Sequence, residues 1–230
     1  MRVTDIEGSL KMIFGAEEIR QSSLEHLSRY SVLLQMKKGQ HLYREREEIV
    51  TVYAVVSGTA ALYKMNAMGE KKVIFVLGKG SILNEEILQD LPEPVSCEIM
   101  EAAEILAIPR KQLLSLMETD GRLMRFLFSS QSHKVRRLYR QLKNTTNATR
   151  GEKKMAAKLW KLARDYGKKE EGGVRICLKL TVTQIADMLG TKRETASRQL
   201  KVLVKHGLVR YDKNTFVIPN PDALNRYFKE

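Results

Sequence analysis

Between Val32 and Pro109 the apolar residues come in short Val, Ile, Leu and Tyr runs broken by glycine, at Lys38-Gly39, Ser57-Gly58, Met68-Gly69, Leu77-Gly78 and Lys79-Gly80. Tyr53–Val56 and Val73–Leu77 are the clearest strands, with a hairpin turn at Asn66–Gly69 between them. Short strands at a spacing of roughly 8–12 residues predict an all-β barrel or sandwich. A short helix over 17–29 leads into it. After Pro109 the period becomes helical. Lys111–Met117 reads as a short helix, and Gly121–Asn144 then runs without proline or internal glycine. Within it Leu123, Phe126, Leu127, Val135, Leu138 and Leu142 recur at mostly helical spacings. A helix of about 25 residues is longer than a small domain needs to cover its own core. It is either a seam with a second copy of the chain or an ordinary helix packed on the barrel; Ser129, Ser130 and Ser132 interrupt a clean heptad.

Asn144–Gly151 is polar and reads as a hinge. Beyond it, Glu152–Tyr166 is a helix with Met155, Leu159, Leu162 and Ala163 on one face, Lys168–Gly173 a loop and Val174–Leu180 a strand. Thr181-Val-Thr-Gln184 then has the spacing of a capping box, in which a threonine hydroxyl and a glutamine side chain satisfy each other's backbone N–H groups. Ile185, Ala186, Met188 and Leu189 supply the apolar face, and Gly190 stands where a helix ends in a left-handed residue. A second box, Thr191-Lys-Arg-Glu194, opens a helix burying Ala196, Leu200, Leu203 and Val204 and ending at Gly207. Two helices joined by a tight glycine turn form a helix-turn-helix. Leu208–Ile218 reads as a β-hairpin turning at Asp212–Asn214, which makes the module a winged helix, and Asn220 caps a last helix that starts at Pro221.

Charge gives this module a partner. The chain carries a net +13, yet residues 1–117 are net −2, residues 118–144 net +5 and residues 145–230 net +10. A neutral front half joined to a basic back third suggests a sensor fused to a polyanion-binding module. A helix entering a major groove presents its first two turns to base edges. Arg193 and Arg198 can each hold guanine bidentately, and Glu194 can accept from a cytosine amino group. Lys192, Ser197, Lys201, Thr181 and Thr183 are placed for the DNA backbone. The structural alternative, a merely solvated helix face, has against it the caps, the turn and the basic surroundings.

From Ile185 to Leu200 the chain reads Ile-Ala-Asp-Met-Leu-Gly-Thr-Lys-Arg-Glu-Thr-Ala-Ser-Arg-Gln-Leu, and Gly207-Leu-Val follows. This stretch resembles the cyclic-AMP receptor protein/FNR family of bacterial transcription regulators, whose recognition helix carries the Arg193-Glu194-Thr195 and Arg198 pattern. The Lys38-Gly39 turn, Val52–Gly58 and the long helix match more weakly. The resemblance implies an α+β protein: a cyclic-nucleotide-binding-type β-roll, a long dimerisation helix and a C-terminal winged helix-turn-helix. It implies a homodimer on palindromic double-stranded DNA, with RNA polymerase as a further partner. In nucleotide-binding members a Gly-Glu pair and a later Arg-Ser or Arg-Thr pair hold the ribose and cyclic phosphate. The matching stretches here are Asn84-Glu85 and Val95-Ser96, so the glycine is Asn and the arginine Val. Losing that arginine removes a charge-assisted contact of about 1.5–3 kcal/mol. A cyclic nucleotide is therefore not the expected effector. An unidentified small molecule near Asn84, Glu85, Val95, Ser96 and Tyr139 is.

Two cysteines, Cys97 and Cys177, fall short of the four ligands an iron–sulfur cluster takes. Cys97 is either a buried strand residue or a redox sensor. His26, His41, His133 and His206 have no distinctive context for haem, so no cofactor and no metal are expected. No nucleophile–base arrangement, P-loop, GxGxxG or HExxH pattern points to an enzyme. With no secretory signal and no membrane-spanning stretch, the expected location is the cytoplasm. The expected domains are a sensing β-roll over 1–117, a dimerisation helix and hinge over 118–145, and the DNA-binding domain over 146–230. The expected function is sequence-specific transcription regulation under a small-molecule effector; the alternative is a non-specific or architectural DNA binder with a vestigial sensor.

Overall fold

The computed structural model describes residues 5–15, 19–146 and 151–229. They form two compact units, one built from residues 5–64 and 74–146, the other from 65–73 and 151–229. Both are mixtures of helix and sheet.

The first unit opens with helices α1 (Ile6–Phe14) and α2 (Gln21–Tyr30). Strands β1 (Val32–Met36), β2 (His41–Tyr43), β3 (Thr51–Met65), β4 (Lys71–Gly78) and β5 (Ser96–Pro109) follow. They pair in the order β1-β5-β3-β4, with β2 also on β5, as a β-roll. Alternation along β3 and β5 divides the side chains between two cores. Val52, Ala54, Leu106 and Ile108 pack against the helices, while Val55, Leu62, Cys97, Ile99 and Ile105 fill the roll beside Tyr43 and Phe75. The switch between faces needs an irregular stretch, and the register of β3 on β5 shifts between Val55 and Ala60. Gly58 sits there at φ +80°, where a Cβ would overlap the Ala102 carbonyl oxygen.

Helices α3 (Arg110–Thr119) and α4 (Gly121–Thr146) complete the unit. Asp120, fully buried, joins them. One carboxylate oxygen accepts from the Arg122 and Leu123 N–H groups, and the other from Arg20 N–H and the Ser23 hydroxyl. Burial pushes this carboxyl up, but the four donors outweigh it and hold it below its usual value. On α4, Leu123 and Leu127 bury against the roll. Met124, Phe128, Val135, Leu138 and Leu142 lie exposed, 38–72% accessible. With Gln131 they fall at a strict four-three spacing along the helix.

The expected hinge over Asn144–Gly151 is partly overturned: α4 continues through Thr146, and 147–150 lie outside the described residues. Helix α5 (Gly151–Tyr166) buries Met155, Leu159, Leu162 and Ala163. The expected loop at Lys168–Gly173 is instead a hairpin, β6 (Gly167–Glu170) with β7 (Gly173–Ile176), and the strand expected through Leu180 ends at Ile176. All four β6 residues are exposed, so this edge strand carries no apolar signal to read.

The remaining elements are α6 (Val182–Leu189), α7 (Arg193–Lys205), β8 (Arg210–Asp212), β9 (Thr215–Ile218) and α8 (Pro221–Lys229). The second sheet runs β6-β7-β9-β8. Lys213 and Asn214, both at positive φ, make the two-residue turn of the wing. Asn220 Oδ1 accepts from the Asp222 and Ala223 N–H groups at the start of α8.

Candidate nucleic-acid interface

Helix α6 is fixed at both ends by its own sequence. The Gln184 N–H donates to Thr181 Oγ1 at 3.2 Å, and the Thr181 N–H donates back to Gln184 Oε1 at 2.9 Å. Gly190, at φ 65° and ψ 50°, turns the chain in the left-handed region, and the Thr191 N–H closes onto the Ala186 carbonyl at 3.1 Å. Ile185, Ala186 and Met188 are buried beneath this turn.

That closure undoes the second capping box. Its reciprocal half needs the Thr191 N–H to donate to the Glu194 side chain, and the Ala186 carbonyl already accepts from that N–H. The helix starts one residue later, with Lys192 as an extended N-cap that makes no side-chain hydrogen bond. Arg193 and Glu194 therefore open α7 with side chains exposed to solvent. Its first backbone N–H groups receive no side-chain cap from Lys192. Ala196, Leu200 and Leu203 are buried. Val204 is 44% exposed, so it is not part of the expected core face.

The positions expected to meet DNA fall on accessible surface. Lys192, Arg193, Glu194, Arg198 and Lys201 are exposed along α7, with Ser197 half-buried between them. Thr183 is exposed at the start of α6, while Thr181 is half-buried and engaged in its cap. Lys168 and Lys169 on β6, an edge strand of the second sheet, are exposed cations that sequence periodicity did not mark.

The positions expected to hold an effector behave differently. Asn84, Glu85 and Ser96 are buried in the first unit. Asn84 accepts from the Tyr53 N–H and donates to the Thr51 carbonyl and to Glu93 Oε1. Glu85 accepts from the Ser130 hydroxyl and pairs with Lys134, which also donates to the Leu83 carbonyl at 3.1 Å. Ser96 accepts from the Glu45 N–H. Val95 is half-buried against the roll core, and Tyr139 is 67% exposed. The geometry brings Glu85 together with Ser130 and Lys134, not with Tyr139. Burial pushes the Cys97 thiol up to about 12, which leaves it a small apolar side chain rather than a thiolate. Among the described residues no three His, Cys, Asp or Glu side chains are placed to hold a metal, and no helix is long and apolar enough to cross a membrane.

Comparison with known proteins accords with this layout. Residues 153–227 match the family model of the Crp-like helix-turn-helix domain, and residues 33–120 match that of the cyclic nucleotide-binding domain. The CRP-like cAMP-activated global transcriptional regulator of Mycobacterium tuberculosis is 23% identical over 216 residues, covering 90% of this chain and 93% of its own. The fumarate and nitrate reduction regulatory protein of Escherichia coli is 23% identical, covering 82% and 75%. In three dimensions a CRP/FNR-family transcriptional regulator from Thermus thermophilus superposes with a TM-score of 0.73 at 20% identity, over 86% of this chain and 99% of that one.

Proposed function

Since the chain belongs to the CRP/FNR family of transcription regulators, a family of regulators and not of enzymes, we propose that it is a sequence-specific regulator acting as a homodimer on a palindromic site. The observation that carries this reading is the start of α7. Arg193, Glu194 and Arg198 stand exposed within its first two turns, where a recognition helix meets base edges. Arg193 and Arg198 read guanines and Glu194 a cytosine amino group. Lys192, Ser197, Lys201, Thr183 and Thr181 hold phosphates, and the module's net +10 supplies general affinity.

The exposed stripe from Met124 to Leu142 supports the dimer. Apolar side chains at heptad spacing on an uncovered helix face are what a parallel pair of identical helices buries. Two recognition helices related by two-fold symmetry then meet half-sites about 34 Å apart. The protein works in the cytoplasm, with RNA polymerase as the partner that converts its position on DNA into transcription.

A small molecule other than a cyclic nucleotide controls it. Two features support this: Val95 stands where the resemblance puts the phosphate-binding arginine, and Glu85 already has Lys134 and Ser130 as partners. Selection of bound fragments from random DNA with the purified chain tests the proposal. The expected result is an inverted repeat with G·C pairs in each half-site. Recovery of unenriched sequence would favour a non-specific architectural binder instead.

A further inference from the structure

The roll positions expected to hold an effector are saturated, yet a cavity of about 340 Å³ remains beside them in the first unit. That volume lies at the lower end of small-molecule sites, roughly 300–1,000 Å³. One wall is the segment after β4, which includes Ser81. It is pinned to β3, since the Gly80 N–H donates to the Val55 carbonyl and the Val55 N–H to the Ser81 carbonyl. The facing wall is α4, with Ser129, His133, Lys134 and Arg137. No carboxylate lines the cavity. The charge of Lys134 is balanced by Glu85. Among the described residues no carboxylate balances Arg137: its guanidinium lies 4.6 Å above the Phe75 ring, and its Nε is buried with no hydrogen-bond partner. Stacking on the ring fixes the plane of the guanidinium and leaves the N–H edge for an acceptor. That edge matches the two oxygens of a carboxylate or phosphate. His133 commits Nδ1 to the Ser129 carbonyl, so Nε2 is its remaining polar atom.

We propose that this cavity binds a small metabolite carrying a carboxylate or phosphate group, held by the edge of Arg137 with His133, Ser129 and Ser81 around it. The proposal rests on the effector-controlled reading above and names the ligand's chemical class. The cation that recognises the anion comes from α4 and not from the roll. Because α4 also carries the Met124–Leu142 stripe, a ligand that draws Arg137 toward the cavity acts on the helix that forms the dimer seam.

Calorimetric titration of the full-length protein with glutarate, inorganic phosphate and uncharged glutaramide tests this. One of the two anions binds at one site per chain, and which one tells a carboxylate ligand from a phosphate. Glutaramide does not bind. R137Q weakens the anion by at least about tenfold, the fold-change of one charge-assisted hydrogen bond. R137K, which keeps the charge without the planar fork, falls between, and carries the test if circular dichroism shows R137Q unfolded. Absence of binding by both anions, or equal binding by wild type and the folded Arg137 variants, overturns the site. DNA selection with the wild type is an independent readout: a palindrome recovered without anion binding removes the site alone, whereas unenriched DNA removes the regulator reading.

Discussion

The two units treat their charged and polar side chains in opposite ways. In the first, Arg137 apart, the buried ones are spent on each other. Glu85 takes Ser130 and Lys134, Asn84 ties three partners together, and Asp120 accepts from four donors. In the second, Arg193, Glu194, Arg198 and Lys201 stand in solvent on a helix whose buried residues, Ala196, Leu200 and Leu203, are apolar. A charge left in water keeps its capacity to bind something else, whereas a charge buried with partners has become part of the scaffold. The contrast separates a half that holds its shape from a half that presents a surface. Substitutions at these residues should therefore act on stability in one and on recognition in the other.

The largest effect is expected at the buried pair. Lys134→Ala leaves Glu85 uncompensated and should cost the first unit about 3–5 kcal/mol in urea unfolding followed by circular dichroism. Replacing both partners, by Glu85→Gln with Lys134→Met, should recover most of that. A Lys134→Ala protein as stable as wild type would mean the pair is not buried in solution. Next comes the exposed stripe: Leu138→Glu removes an apolar contact from each of two chains, about 3 kcal/mol together. Sedimentation should then show dimers of the wild type and monomers of the variant, and an unchanged sedimentation coefficient argues against the seam. Asp120→Ala should cost about 2–3 kcal/mol through the donors it abandons. Because the Asp120 carboxyl is held below its usual value, its stabilisation is complete above the ordinary carboxylate pKa of about 4 and fades as pH falls below that toward the depressed value. Asp120→Asn should lack that part of the acid dependence, so identical acid profiles would contradict it. In the second unit, Arg193→Ala should cost about 1–3 kcal/mol on the specific site and relax the choice at one base. Lys201→Ala is the smallest, a uniform weakening on all DNA with a shallower salt dependence; the two are told apart by repeating each titration on random DNA.

The same division explains what could be read in advance. The winged module was legible because its signals are local: Thr181 and Gln184 are three residues apart, Gly190 ends the helix they start, and Asn220 precedes the proline it caps. Its failures were local too. The Thr191 box reads correctly in isolation, but the preceding turn had already claimed its N–H. The β6 strand hides because none of its residues is buried. In the first unit the strands were visible through their alternation, but the partners of Glu85 lie 45 and 49 residues away, and no spacing rule reaches that far. Two of the three serines that interrupt the heptad are explained the same way. Ser129 and Ser130 belong to the side of α4 that faces the roll, not to the stripe. Asp120 had a local signal, an acid before a long glycine-started helix, though not its contacts with Arg20 and Ser23.

The contrast comes down to whether the exposed face of α7 chooses among sequences. Fluorescence anisotropy of the full-length protein, on a site recovered by selection and on the same bases scrambled, measures this at one fixed salt concentration. Preference for the intact site by a factor on the order of 10³ or more, lost together with Arg193 and Arg198, is the predicted result. Equal affinity for the two duplexes would contradict it.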